Sequence, residues 1–327
     1  MKSLRATSVA IIAAGALVLS ACGSQSGDSG DDKLNVVTST NVYADIAQTV
    51  GGDAVDVTPI IDDPSKDPHS YEATTEDQLK LSKADVVVQN GGGYDAFMTT
   101  LLEASDSKPE VVDAVSISGL PGSEGLGNEP HDHGHDHEHG EEGHEGHDHG
   151  HEHGAFNEHV WYSVPTMIKL VDEVAATMSE KSPEHKDEFE KNADDLRGNL
   201  EDLNTKITDA KSQNEGKKAA ATEPVPLWLF EDMGLEPATP PEFLSAIEEG
   251  NDAPPLVFKK AQDQLKNKEV VILGYNTQAT NEQAESLKKA AEEAGIPVVD
   301  MAETMPKGSN YADWMSGYVD EVNSALK

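Results

Sequence analysis

The side chains best able to do chemistry in this chain are its histidines, and most of them stand together. Ten of the thirteen fall within residues 131–153, at His131, His133, His135, His137, His139, His144, His147, His149, His151 and His153. Between them lie eight Asp and Glu residues and several Gly, with no apolar side chain. Such a stretch has nothing to bury and cannot build a core. Neutral imidazole is a ligand for zinc, copper and nickel, and the interleaved carboxylates add oxygen donors and a field that gathers cations. The competing reading is a solvated acidic linker that happens to be rich in His. The tract indicates that the protein meets transition metals. It does not say what is done with them, because a tract of this kind binds many ions loosely.

Three histidines remain. His185 falls in the first turn of a long polar helix, two residues after Pro183, and reads as an exposed surface residue. His69 lies in Asp67-Pro68-His69-Ser70-Tyr71-Glu72, just beyond a strand ending at Ile61. His159 lies in Asn157-Glu158-His159-Val160-Trp161, just before a helix starting at Ser163. Both sit on connections rather than at periodic apolar positions, and position alone leaves metal ligand and packed structural histidine equally open. Cys22 is the only cysteine. An intramolecular disulfide and a Cys-based zinc cage are therefore excluded, so any metal must be held by His and carboxylates. The chain has no His-Glu-x-x-His, no Gly-x-Ser-x-Gly and no second Cys to act as nucleophile, which argues against a secreted hydrolase.

The formal charge of −37 argues against nucleic acid as a partner and is compatible with cation capture. Residues 1–21 read as a signal peptide: Lys2 and Arg5 precede an apolar stretch, residues 9–18, too short to span a bilayer. It closes on Leu19-Ser20-Ala21-Cys22, which resembles a bacterial lipoprotein signal. Acyl chains on Cys22 would tether the protein to the outer face of the cell membrane. Residues 22–33, mostly Gly, Ser, Asp and Gln, form a flexible tether. No later apolar run is long enough to cross a membrane.

The elements that must position the two isolated histidines follow an α/β pattern. In residues 34–182, the amino-terminal lobe, strands are expected at 34–38, 55–61, 84–89 and 110–114. Helices lie between them, one of them capped by Thr75, and a last one is capped by Ser163; residues 118–154 form a loop around the His tract. In residues 214–327, the carboxy-terminal lobe, strands are expected at 217–222, 269–273 and 296–299. Helices are expected at 227–233, at 254–265 and from a Thr280–Gln283 capping box to Ala294. Alternation of this kind favours parallel sheets covered by helices. Between the lobes, residues 183–213 carry Phe189, Ala193, Leu196, Leu200, Leu203, Ile207 and Ala210, spaced alternately by four and three. That is one helix of roughly 45 Å. A coiled-coil dimer is one use for such a stripe. A brace lying along both lobes of a monomer is the reading preferred here, because two Ala occupy the stripe and Gly198 interrupts the outer face.

The Asp-Pro-His-x-Tyr-Glu and Asn-Glu-His-Val-Trp segments, the His/Asp-rich loop between them and the long linking helix together resemble the zinc- and manganese-specific solute-binding lipoproteins of ABC importers, from about Leu34 to the C-terminus. The resemblance implies two Rossmann-like α/β lobes joined by one long helix, with a single ion in the interlobe cleft and two ligands from each lobe. The implied ligands are His69 and His159 in front and two acidic residues behind. Where family members carry His or Glu after a short strand, this chain has Glu223. The fourth is expected at Glu303, with Asp300 as the substitute. Two neutral His and two carboxylates would balance a divalent cation. Glu72, Glu158 and Asn276 are expected around the ligands, where they could orient the imidazoles or close the cleft. A closed four-ligand site also lacks the open position that metal catalysis uses. The resemblance thus implies a monomeric, lipid-anchored receptor, not an enzyme. It would capture Zn2+, or alternatively Mn2+, and deliver it to an ABC permease. The alternative is a metal-storage or adhesion lipoprotein acting through the His tract.

Overall fold

The computed structural model describes residues 33–126 and 156–327. Cys22, the signal segment and the His tract lie outside the described residues. The first half runs β1 (Leu34–Thr40), α1 (Asn41–Gly51), β2 (Val55–Ile61), α2 (Thr75–Leu81), β3 (Val86–Gln89), α3 (Ala96–Glu103), β4 (Glu110–Asp113), α4 (Ala114–Ser118) and α5 (Val164–Lys181). The long helix α6 (Lys186–Asn214) follows. The second half runs β5 (Lys218–Ala221), α7 (Leu227–Asp232), β6 (Glu236–Pro237), α8 (Pro241–Glu248), α9 (Pro255–Lys266), β7 (Ile272–Asn276), α10 (Glu282–Ala294), β8 (Val298–Met301) and α11 (Tyr311–Ala325).

The strands form two four-stranded sheets, ordered β2-β1-β3-β4 and β6-β5-β7-β8, with every pairing parallel. Both faces are covered, so apolar residues run continuously along the strands and alternate between two cores. In the first sheet Val36, Val86 and Val88 face a central cluster, while Val37 and Val87 face a second cluster with α3. In the second sheet Ala219 and Ile272 face that same central cluster, while Ala220 and Leu273 pack with α8, α9 and α10. One core thus runs from sheet to sheet, and α6 is its spine. Phe189, Ala193, Leu196, Leu200, Leu203, Ile207 and Ala210 are all buried within this one chain. Their burial leaves no apolar seam on α6 for a second helix, against the coiled-coil reading. No helix among the described residues is long and apolar enough to cross a membrane.

The two halves are also tied by hydrogen bonds. Asn41 donates to the Met305 carbonyl at 2.7 Å and accepts from the Met305 amide at 3.2 Å. Tyr162 donates to the Ala302 carbonyl at 2.7 Å, and the amide of Tyr311 donates to Asp45 at 2.8 Å. Helix α11 supplies Tyr311, Trp314, Met315, Tyr318, Val319 and Val322 to the shared core.

Two expected helix caps are corrected, and the third, Ser163, is kept in position. Thr74, not Thr75, caps α2, and it forms a full capping box with Asp77. Ser163 holds the cap position of α5 but makes no capping hydrogen bond, and Pro165 sits in the first turn. Asn281, not Thr280, caps α10 by accepting from the amide of Ala284. Gln283 instead pairs with the backbone of Ala253 through both ends of its amide.

The α2 cap matters because it closes the loop that carries His69. Asp77 accepts from the Thr74 amide at 3.0 Å, the Thr74 hydroxyl at 2.7 Å and the Tyr71 hydroxyl at 2.8 Å, and Lys80 lies 3.1 Å from its other oxygen. Burial pushes the Asp77 carboxyl up, but these hydrogen bonds outweigh it and hold it at about 2. A carboxyl lowered by folding stabilises the native state above the ordinary carboxylate range, and that contribution is lost as pH falls towards 2. Asp77→Ala is expected to cost about 1–2 kcal/mol at neutral pH. The wild-type advantage should shrink between about pH 4 and 2, which paired denaturant melts would show.

Candidate metal centre

Parallel sheets collect ligands beyond their strand carboxyl ends, and the candidate residues stand there. His69 follows β2, Glu223 lies two residues past β5, Asn276 ends β7 and Glu303 lies two residues past β8. His159 immediately precedes the single helical turn Val160–Tyr162. The His159 ring is fully buried against the rings of Trp161 and Tyr94, at centroid distances of 5.1 and 5.7 Å. Tyr94 also meets His69 edge-on at 5.0 Å, and the two imidazoles are 5.6 Å apart.

Asn157 fixes which nitrogen of His159 is available. Its side-chain oxygen lies 2.8 Å from Nδ1 and accepts from the His159 amide at 3.2 Å. The Nδ1 proton therefore points at Asn157, and Nε2 carries the lone pair. That Nε2 is buried without a hydrogen-bond partner among the described residues. Burial, the largest influence on this ring, lowers its pKa to about 3, so it is neutral and ready to bind a cation at neutral pH. Asn157 reaches further: its amide donates to the Pro224 carbonyl at 3.0 Å, and its own carbonyl accepts from Trp228 Nε1 at 2.9 Å. One side chain therefore orients a histidine of one lobe and grips the turn carrying Glu223 in the other. That turn also needs Gly274 beneath it, because a Cβ there would come within 2.9 Å of Pro226 and 3.0 Å of the Phe230 ring. Asn157→Ala is expected to weaken metal binding roughly 10- to 100-fold, as loss of a ligand-orienting partner does. Competition with a chromogenic chelator would measure it.

The acidic side of the site is held by Asn276. Its amide donates to Glu303 Oε1 at 2.8 Å and to Glu223 Oε2 in a short hydrogen bond. Glu223 Oε1 is left buried with no hydrogen-bond partner among the described residues, and Glu303 Oε2 faces His69 Nε2 at 4.0 Å. Glu158 Oε1 lies 4.0 Å from His69 Nδ1, on the ring edge opposite Glu303. Glu158 and Asn276 thus stand against the candidate ligands. Glu72 is exposed and lines a separate cavity beside Gly91, Gly92 and Gly93.

Asp300 is not brought to the site. It is an exposed residue of β8 whose carboxylate pairs with Lys288 at 2.7 Å, while its neighbours Val299 and Met301 point into the core. His185 also lies apart, half-buried, with Nδ1 3.8 Å from Glu188.

The structure adds a residue that the sequence reading does not single out. Glu248, the last residue of α8, has Oε1 3.9 Å from His159 Nδ1. Donor atoms of His69, His159 and Glu248 lie within 4.8 Å of one another. Donors around one tetrahedral ion, each about 2.1 Å from it, are about 3.4 Å apart, so this group would have to draw in by up to roughly an ångström to hold a cation.

The carboxylates are crowded. Glu223 is pushed well above its ordinary range by burial and then by the charge of Glu303. Burial, then the charges of Glu158, Glu223 and Glu303, raises Glu248 to about 9. Glu303 is raised by burial to about 7, against the hydrogen bond from Asn276. Buried carboxylates repelling one another beside two imidazoles are surroundings that a bound cation would stabilise.

The chain belongs to the family described as zinc-uptake complex component A, periplasmic, whose model matches residues 36–325. It is 32% identical over 190 residues to the manganese-binding lipoprotein MntA of Bacillus subtilis, an alignment covering 57% of this chain and 53% of that protein. It is 26% identical to the manganese ABC transporter substrate-binding lipoprotein scaA of Streptococcus gordonii, covering 94% of each. Its fold matches the periplasmic zinc-binding protein TroA of Treponema pallidum with a TM-score of 0.69 at 17% identity, over 90% of this chain and 99% of that one.

Proposed function

We propose that this chain is the extracytoplasmic substrate-binding lipoprotein of a metal ABC importer. It captures Zn2+ or Mn2+ between its lobes and delivers the ion to a membrane permease. The observation that carries this reading is the meeting of His69 and the neutral, buried His159 of one half with Glu303 and Glu248 of the other. The assigned ligands are His69, His159, Glu223 and Glu303, with Glu158, Asn157 and Asn276 holding them. Family membership and the lipoprotein names of MntA and scaA support the class. Cys22 is assigned as the lipid attachment point, with residues 22–33 as tether. Residues 34–182 and 214–327 are assigned as the two lobes, and 183–213 as the brace between them. Burial of the whole α6 stripe inside one chain supports a monomer.

The reading is tested by calorimetric titration of the mature chain with and without residues 131–153. One tight site should survive the deletion while several weak ones disappear. Loss of the tight site on deletion would instead favour a storage or adhesion protein acting through the His tract.

A further inference from the structure

Glu248 is placed where an acidic side chain is locally unfavourable. It ends α8, followed at the cap by Glu249, so two carboxylates stand at the negative pole of the helix. A negative charge there costs about 0.3–1 kcal/mol rather than contributing stability. Its side chain is nonetheless only 7% exposed, and Oε1 has no hydrogen-bond partner among the described residues. The charges that act on it belong to four other glutamates, Glu158, Glu223, Glu303 and Glu249. Helix dipole, burial and neighbours all oppose the ionised form of this side chain, and a cation beside it would offset all three. Glu248 also lines the cavity of about 470 Å3 in which Asp67, His69 and Gln278 meet. It therefore stands at the same time against the imidazoles and against the cavity beside them.

We infer that Glu248 is a further ligand of the ion and the residue that sets which ion is kept. The inference rests on the metal-capture reading above. His69, His159, Glu223 and Glu303 offer two nitrogens and two oxygens, a set that satisfies four-coordinate zinc. Glu248 turns that set into two nitrogens and three oxygens, and one bidentate carboxylate would bring it to six donor atoms. Extra oxygen and a higher coordination number favour manganese, which accepts carboxylate-rich octahedral surroundings, and add little for zinc. Glu248 thus broadens a zinc-type set so that manganese is also held. The source of this ligand is α8 and the connection between β6 and β7, a segment separate from the strand ends that carry the other acidic residues.

The experiment compares wild type, Glu248→Gln and Glu248→Asp as full mature chains, measuring Zn2+ and Mn2+ affinities separately by competition with a chromogenic chelator. Glu248→Gln keeps the shape of the side chain, and thermal melts of the metal-free proteins check folding. The expected result is a roughly 10- to 100-fold loss of Mn2+ affinity with less than about a 3-fold loss for Zn2+, and partial recovery of Mn2+ binding in Glu248→Asp. Equal losses for both ions, or no loss for either, would overturn the inference while leaving the capture site standing. His69→Ala and His159→Ala are measured alongside: if neither weakens tight binding, the capture reading itself fails, and this inference with it.

Discussion

His69→Ala and His159→Ala should each weaken the tight metal site by at least about 100-fold, more than the loss of an orienting partner would. The double variant should retain only the loose binding of the His tract. His69 sits on a loop and is half-buried, so His69→Ala should fold normally. His159 is fully buried among Trp161 and Tyr94, so His159→Ala also removes packing and should melt somewhat earlier. The two effects separate in one assay. An ion at a thousand times its Kd stabilises wild type by about 4 kcal/mol, because it binds the native state alone. Both variants should lose that metal-dependent rise in melting temperature, whatever their metal-free stability. A variant that still gains several degrees from one equivalent of zinc would show that its histidine is not a ligand.

The second large effect concerns protons. In the metal-free protein Glu248 is raised to about 9 and Glu303 to about 7, both chiefly by burial, so at neutral pH Glu248 is protonated and Glu303 partly so. An unfolded glutamate is ionised there. The native metal-free state therefore binds more protons than the unfolded one, and its stability should fall as pH rises from about 5 to 9. A divalent ion reverses this by taking the place of the protons. Metal capture at pH 7 should release roughly one proton or more, and affinity should tighten from pH 6 to 8. Calorimetry in two buffers of different ionisation enthalpy would count the protons. Heats that are independent of buffer would contradict the crowded-carboxylate site.

Much of this architecture is legible in the sequence, because long-range burial imposes a period that survives in residue type. The α6 stripe is the clearest case: all seven residues spaced by four and three are buried. The strand at 55–61 is equally clear, since Val and Ile dominate it. Caps are less so, because Thr74 and Thr75, or Thr280 and Asn281, are adjacent residues that can each cap a helix, and the observed backbone separates them. Helix α11 escapes the sequence reading although its signal is present: Tyr311, Trp314, Met315, Tyr318, Val319 and Val322 recur at helical spacing, with Asn310 as cap. The choice between Asp300 and Glu303 follows from strand alternation. Val299 and Met301 face the core, which turns Asp300 outward.

Glu248 is the instructive omission. It lies outside every motif that marks the family resemblance, in a short helix bounded by Pro240, Pro241, Pro254 and Pro255. Phe243, Leu244 and Ile247 announce a buried helical face, but nothing in their spacing says that the residue after Ile247 approaches an imidazole from another part of the chain. Asn157 poses the same difficulty. Its position two residues before His159 is visible, but its grip on Pro224 and Trp228 depends on how the lobes meet.

The central claim is that a single ion rests among His69, His159 and the glutamates of the opposite half. Crystals of the mature protein loaded with zinc or with manganese, with anomalous data collected across each absorption edge, test it directly. The expected map has one strong peak within bonding distance of both Nε2 atoms and of carboxylate oxygens from Glu223 and Glu303. No peak there, with anomalous density confined to residues 131–153, would contradict it.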